Sequence, residues 1–275
     1  MNPKAILERL GIEPKKSLGQ NFLHDPNALR KIAALAEIGP QDTVLEIGPG
    51  LGGLTEVLAA QARRVIAVEL DDRLIPALAW LDALPNVAIV HQDILTVDLD
   101  ALIGPEPYLV CANVPYYITS AIIRFLLERA HRPRRLVLTV QLEVAERLIA
   151  RPGEHSVLSI SAQYYARPQI VMRLNRAAFY PRPDVDSAVV RLDCYEHPPV
   201  SVPSDALFFR VVRAGFSQKR KQLKNALAEG LHLTADAAAA LSQTAGVDPR
   251  RRAETLTLEE WAALTRAYAA QIAST

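Results

Sequence analysis

Asn113-Val114-Pro115-Tyr116 is the stretch of this sequence whose residue types best suit a defined chemistry. The exocyclic amine of adenine is a poor nucleophile because its lone pair is delocalised into the ring. Two acceptors that take its N–H hydrogens favour a pyramidal nitrogen with a localised lone pair. The Asn113 side-chain oxygen can be one acceptor, and the Pro115 carbonyl, aimed by a stiff proline turn, the second. The Tyr116 ring offers a face on which an extruded base can stack. A methyl group passed in line from sulfur then needs positioning more than a strong base. Taken alone, the tetrapeptide also suits an ordinary turn, because Asn and Pro both favour turns.

A second constellation lies upstream, in Glu46-Ile47-Gly48-Pro49-Gly50-Leu51-Gly52-Gly53. Gly48, Gly50 and Gly53 satisfy the dinucleotide pattern GxGxxG, a weak signal by itself. Glu69 ends the next apolar run, where a carboxylate can accept hydrogen bonds from both hydroxyls of a ribose. Asp93 follows the third run and can accept from an adenine amine, although the same residue suits a helix cap. A nicotinamide-dinucleotide oxidoreductase is the rival reading, since a pyrophosphate would use the amides of the turn. S-adenosylmethionine has no phosphate. Glu46 just before the turn, and Asn113–Tyr116 after the fourth run, favour the methyl donor. Phe179, ahead of Pro181-Arg182-Pro183, either forms the other wall of a base pocket or anchors that loop in the core.

The elements that must position these residues follow from periodicity. Short apolar runs at 43–47, 65–69, 87–91, 109–113 and 136–141 read as strands. Helical patterns separate them, at 54–62, 71–84, 119–130 and 142–150, with a further helix from Pro26 to Ile38 behind an Asp25 cap. Alternation of this kind predicts an α/β fold with a mostly parallel sheet covered on both faces. Runs at 158–165 and 188–192 can complete the sheet. Trp80 and Trp261 sit on helical patterns as packing residues. Three prolines in 196–204 suggest a linker. The remainder, 205–275, is helical in pattern only, with Gly230 placed as a helix stop. The expected domains are therefore 1–195, the linker 196–204, and a small helical domain 205–275.

Of 275 residues half are hydrophobic, and 31 Lys and Arg face 30 Asp and Glu, so net charge selects no partner. Charge placement does. Arg210, Arg213, Lys219, Arg220, Lys221 and Lys224 fall in a stretch without an acid, which suits phosphate contact or a solvated helix face. Further basic clusters lie at Arg132, Arg134, Arg135 and at Arg250-Arg251-Arg252. Two isolated cysteines and six scattered histidines give no disulfide framework and no metal-ligand spacing. No metal, no membrane span, a cytoplasmic location and a monomer are the default expectations.

In order along the chain, Leu18-Gly19-Gln20-Asn21-Phe22-Leu23, Glu46–Gly52, Asn113–Tyr116, Val185–Leu192, Phe216–Lys221 and Arg252–Leu256 resemble the KsgA-type ribosomal RNA adenine dimethyltransferases. The resemblance covers almost the whole chain. It implies a Rossmann-like S-adenosylmethionine methyltransferase fold with a seven-stranded sheet and a helical C-terminal domain. It implies dimethylation of the N6 amines of two adjacent adenines near the 3′ end of 16S ribosomal RNA, within the small subunit. It also implies that Asn21 and Leu23 contact the cofactor beside Gly48, Gly50, Glu69, Asp93 and Asn113, and that Phe179 is the pocket aromatic. Val114, Leu142 and Leu18 depart from the usual residues. A related family that methylates 23S ribosomal RNA and confers macrolide resistance shares the Gln-Asn-Phe and Asn-x-Pro-Tyr motifs; the Arg252–Leu256 tail favours the small-subunit enzyme. An assembly factor with little catalysis is the non-enzymatic alternative.

Overall fold

The computed structural model describes residues 2–15, 18–218 and 220–273. Contacts between Cα atoms divide the chain into two compact units, 1–146 with 167–194, and 147–166 with 195–275. Segment 147–166, assigned from the sequence to the first domain, thus packs with the C-terminal helices.

In the first unit the strands are β1 (Phe22–Leu23), β2 (Thr43–Ile47), β3 (Arg64–Glu69), β4 (Val87–His91), β5 (Tyr108–Asn113), β6 (Arg135–Gln141), β7 (Ala166–Leu174), β8 (Phe179–Tyr180) and β9 (Ser187–Cys194). Seven of them form one sheet in the order β4-β3-β2-β5-β6-β9-β7. The pairs among β2, β3, β4, β5 and β6 are parallel, and β9 runs antiparallel to β6. This is the α/β methyltransferase-type sheet expected above. The strand order reverses between β2 and β5, so their carboxyl ends open the crevice in which such sheets bind ligands.

The helices of this unit are α1 (Pro3–Leu10), α2 (Pro26–Ala36), α3 (Gly53–Ala59), α4 (Ile75–Leu78), α5 (Leu99–Ile103), α6 (Thr119–Leu127) and α7 (Leu142–Leu148). The α2 start is local chemistry: the Asp25 carboxylate accepts from the Asn27 and Ala28 amides, with Pro26 in the first turn. Ile32, Ala33 and Ala36 of α2 and Leu58 of α3 then bury completely against Val44, Val65, Cys111 and Val137 of the sheet. The burial of β2 at all five positions reflects cover on both faces. On the other side of the crevice Leu7 of α1 joins Phe22, Leu51 and Leu74 in a second cluster, which fastens the N-terminal segment to the glycine turn.

The expected helix 71–84 is broken into a 3-10 turn at Asp72–Leu74, the short α4, and a second 3-10 turn at Ala79–Ala83, leaving Trp80 40% exposed rather than packed. The seventh strand is not 158–165 but β7, a half-exposed edge strand whose Pro168 is tolerated there because an edge has spare hydrogen-bonding positions.

In the second unit, residues 157–165 form helix α8 (Val157–Tyr165). Ser156 and Ser159 cap it reciprocally, through side-chain bonds to each other's amides, and a short apolar run has no periodicity that separates a buried strand from a buried helix. Its Tyr164 and Tyr165 hydroxyls donate to the two oxygens of Asp205 at 2.7 and 3.0 Å. The other helices are α9 (Asp205–Gly215), α10 (Leu223–Leu231), α11 (Ala235–Thr244) and α12 (Leu258–Ala273). Gly230 lies inside α10 instead of ending it; the left-handed His232 is the cap. A Cβ at Gly230 would stand 2.5 Å from the Ala214 Cα, so this glycine permits the close crossing of α9 and α10. Trp261 is fully buried, as expected. Among the described residues no helix is long and apolar enough to cross a membrane.

Candidate active site

The carboxyl ends of β2, β3, β4 and β5 meet the segment before β1 around one cleft. Asn21, Gly48, Gly50, Glu69, Asp93, Asn113, Pro115 and Tyr116 all line it. A smaller cavity adjoins it, lined by Leu23 and Glu46 and sharing Phe22, Gly48, Gly50 and Asn113 with the main cleft.

The glycine turn is built for close approach. Gly48 and Gly50 both have positive φ, at 67° and 62°, and a Cβ on Gly50 would press on the Phe22 ring at 3.0 Å. Its amides are turned inward: Gly48 donates to the Val68 carbonyl at 2.9 Å, and Gly50 to Glu69 Oε2 at 3.2 Å. The other Glu69 oxygen accepts the Asp71 amide at 2.9 Å. Burial raises the Glu69 carboxyl, while those amides pull it down. A pyrophosphate brought here would face the Glu69 carboxyl and amides that already have partners. The turn therefore fits a phosphate-free, cationic ligand better than a dinucleotide. Asp93 accepts the Leu95 amide at 2.9 Å through one oxygen and so closes a turn rather than capping a helix, since the next helix, α5, is capped by Asp98. Its other oxygen faces no partner in the described hydrogen bonds and remains available to an adenine amine.

Gln20 shows what holds the N-terminal segment in place. Its amide donates to Asp71 at 2.7 Å, and its oxygen accepts the Lys15 amide at 2.7 Å. The Arg73 guanidinium grips the same Asp71 and holds its carboxyl down at about 2. Sequence reading had given Gln20, Asp71 and Arg73 no role; a glutamine in a motif says nothing about its partner 51 residues away.

The Asn113 amide nitrogen donates to the Asn21 backbone carbonyl at 3.0 Å. A carbonyl can only accept, so the amide is oriented with Oδ1 away from Asn21 and without a partner among the described residues. The Pro115 carbonyl, expected as the second acceptor, already accepts the Thr119 hydroxyl at 3.0 Å and the Ile118 amide at 3.3 Å. The preceding carbonyl, of Val114, accepts no hydrogen bond among the described residues, and Val114 lines the cleft. Spacing could not distinguish two consecutive carbonyls, since the one-turn helix that occupies the first of them is a conformational fact. The Tyr116 hydroxyl and Ser187 Oγ lie 2.6 Å apart, which fixes the plane of the Tyr116 ring.

Phe179 does not line the cleft. It is 3% exposed, packed in the core with Leu29 and Leu174, because pairing of β8 with β1 sets it opposite Leu23 and turns it inward. The other aromatics at the cleft are Phe22, which is buried, and Tyr117, 53% exposed.

The basic residues are in the second unit. Arg210 and Arg213 share an exposed face of α9, Arg220 and Lys221 lie in the following turn, and Lys224 in the first turn of α10. Lys219 lies outside the described residues. Lys221 pairs with Glu229 at 3.4 Å; Arg213, Arg220 and Lys224 have no carboxylate within salt-bridge distance among the described residues. A lysine at a helix N-terminus opposes the helix dipole, so Lys224 is placed against its own local stability. The other clusters are mostly neutralised: Arg134 by Asp42, Arg135 by Glu37 and Asp193, Arg250 by Asp248, Arg251 by Glu260 and Arg252 by Glu254.

A family model described as ribosomal RNA adenine dimethylase matches residues 12–270. The chain belongs to that family. Within it, the chain is 48% identical over 274 residues to a ribosomal RNA small subunit methyltransferase A of Moorella thermoacetica, covering 95% of each protein. It is 47% identical to the protein of the same name from Geobacillus kaustophilus, covering 97% of this chain and 94% of that one. Among solved structures, the fold matches a dimethyladenosine transferase from Plasmodium falciparum at TM-score 0.74 and 26% identity, covering 88% of this chain and 95% of that one. It matches the 23S rRNA methyltransferase ErmE at TM-score 0.69 and 30% identity, covering 90% and 99%.

Proposed function

We propose that this adenine dimethylase family member transfers methyl groups from S-adenosylmethionine to the N6 amines of two adjacent adenines near the 3′ end of 16S ribosomal RNA. The observation that carries the chemistry is Asn113 Oδ1, without a hydrogen-bond partner among the described residues, in a cleft also lined by Glu69 and Asp93. Glu69 would hold the ribose hydroxyls of the donor and Asp93 its adenine amine; bound there, the donor supplies an electrophilic methyl group. Asn113 Oδ1 and the Val114 carbonyl take the two hydrogens of the target amine, so that its lone pair localises toward the methyl carbon. The Tyr116 face, locked through Ser187, carries the base. The proton leaves after the nitrogen has become cationic, so no strong base is required. Arg213, Arg220 and Lys224, which have no salt-bridge partner among the described residues, supply phosphate contacts.

The small-subunit assignment is supported by near full-length similarity of 48% to a small-subunit methyltransferase, against 30% to a 23S enzyme. Undermethylated small subunits and large subunits, each incubated with labelled S-adenosylmethionine, test it. Label mapped to adjacent adenines of the small-subunit RNA is the expected result; label only in large-subunit RNA would overturn it.

A further inference from the structure

Of the side chains that line the main cleft, Leu70, Gln92 and Tyr117 are exposed, and the others among the described residues are buried or half-buried. Leu70 follows Glu69 at the end of β3, and Gln92 follows the end of β4, next to Asp93. The cleft therefore meets solvent beside Glu69 and Asp93, where the proposed function puts the adenosine of the donor. The residues that take the target amine and its base in that function, Asn113, Val114 and Tyr116, contribute no exposed side chain to this rim.

The parts of this rim are held very differently. The N-terminal segment is tied down: Gln20 donates to Asp71 at 2.7 Å, Arg73 grips the same carboxylate, and Arg73 also donates to the Glu13 carbonyl at 3.1 Å. A Cβ on Gly19 would stand 3.3 Å from the Tyr117 ring and 3.4 Å from the Tyr116 amide nitrogen, so this segment packs directly against the turn that carries both rings. Tyr116 and Tyr117 begin one 3-10 turn, in which successive side chains point about 120° apart. Tyr116 is fixed through Ser187. Tyr117 is exposed, and its hydroxyl makes no hydrogen bond among the described residues, so its ring is free to change rotamer rapidly. We infer that the opening bounded by Leu70, Gln92 and Tyr117 is a door for the donor alone, separate from the side that receives RNA, and that Tyr117 is its moving leaf. The inference rests on the methyl-donor reading above. Each donor carries one methyl group, so two adenines that take two methyl groups each consume four donors. A door of its own lets the spent donor leave while RNA stays bound, and successive transfers then need no release of the subunit.

Labelled S-adenosylhomocysteine, bound to the protein and chased with excess unlabelled ligand, gives the dissociation rate; rapid mixing gives the association rate. With saturating undermethylated small subunits present, dissociation should stay within about 3-fold of the rate without them. Tyr117→Ala should raise association and dissociation together, by roughly 10-fold, with affinity nearly constant, because a gate alters the rates in both directions whereas a contact alters affinity. Tyr117→Phe keeps the ring and should keep the slow exchange. Dissociation that stops when the subunit is bound would put donor and RNA in one opening and overturn the inference. So would a Tyr117→Ala variant with unaltered rates, or one that loses affinity through faster dissociation alone, since Tyr117 would then be an ordinary wall of the site. Failure of S-adenosylhomocysteine to bind at all would instead remove the methyl-donor reading itself.

Discussion

Asn113 and Asn21, 92 residues apart, are joined by a 3.0 Å hydrogen bond from the side-chain amide of the first to the backbone carbonyl of the second. The N-terminal segment thereby holds the Asn113 amide nitrogen and turns its Oδ1 the other way. Asn113→Ala should lower single-turnover methyl transfer at saturating cofactor and subunit by at least ~10²-fold, since a hydrogen bond that strengthens in the transition state is lost. RNA binding should persist. Asn113→Asp keeps an acceptor but cannot donate to Asn21, and should lose most activity as well. Near-normal turnover in either variant would reduce Asn113 to a turn residue.

Glu69 joins β3 to the glycine turn through Gly50, and in the function proposed above it holds the ribose of the donor. Glu69→Ala should weaken cofactor binding by roughly 10- to 100-fold, because charge-assisted hydrogen bonds contribute about 1.5–3 kcal/mol each. The rate at saturating cofactor should change much less. Calorimetry beside single-turnover kinetics separates the two; unchanged affinity would show that the ribose sits elsewhere.

Glu46 makes stability depend on pH. Burial raises its carboxyl to about 8 in the fold against an ordinary 4.5, so between those values the folded chain keeps a proton that the unfolded chain has lost. Stability of the empty protein therefore falls as pH rises across that window, by up to about 1.4 kcal/mol per unit from this group, and levels off above it. Glu46→Gln lacks the penalty. Its melting temperature should match the unaltered chain near the lower end of the window and exceed it by roughly 5–10 °C near the upper end. Parallel melting curves at both ends would contradict the assignment.

Charge reversal at Arg213, Arg220 and Lys224 should weaken RNA binding while cofactor affinity stays constant. Each lost phosphate contact should flatten the plot of log affinity against log salt by about 0.7–0.9. Lys221, paired with Glu229, should matter less. Filter binding across a salt series gives the slope, and an unaltered slope would make this face simply a solvated one.

Gly230→Ala should destabilise the helical unit by about 1–3 kcal/mol, because the added methyl would meet Ala214 and force α9 and α10 apart. The expected readout is a lower melting temperature with intact cofactor affinity. An undisturbed melt would mean that the crossing relaxes freely.

Wherever the signal is local, the sequence alone determined the answer. The five parallel strands, the Asp25 cap and the glycine turn could all be read, because burial on both faces writes a continuous apolar run and φ > 0 selects glycine. Gly48, Gly50, Glu69, Asp93 and Asn113 were legible as a set, since each ends or follows a strand at one edge of the sheet; Asn21 and Leu23 came only from family resemblance. Tertiary structure alone decided the rest. Segment 157–165 is a helix because a Ser156–Ser159 cap and the Asp205 carboxylate complete it, and Phe179 is core because β8 pairs with β1. The Pro115 carbonyl is taken and the Val114 carbonyl is not, which depends on a single turn of 3-10 helix. Hydrogen-bond partners far apart in sequence leave no periodic trace, and charge runs do not reveal which arginines a distant carboxylate neutralises. Those are properties of distance in three dimensions, and only the folded chain fixes them.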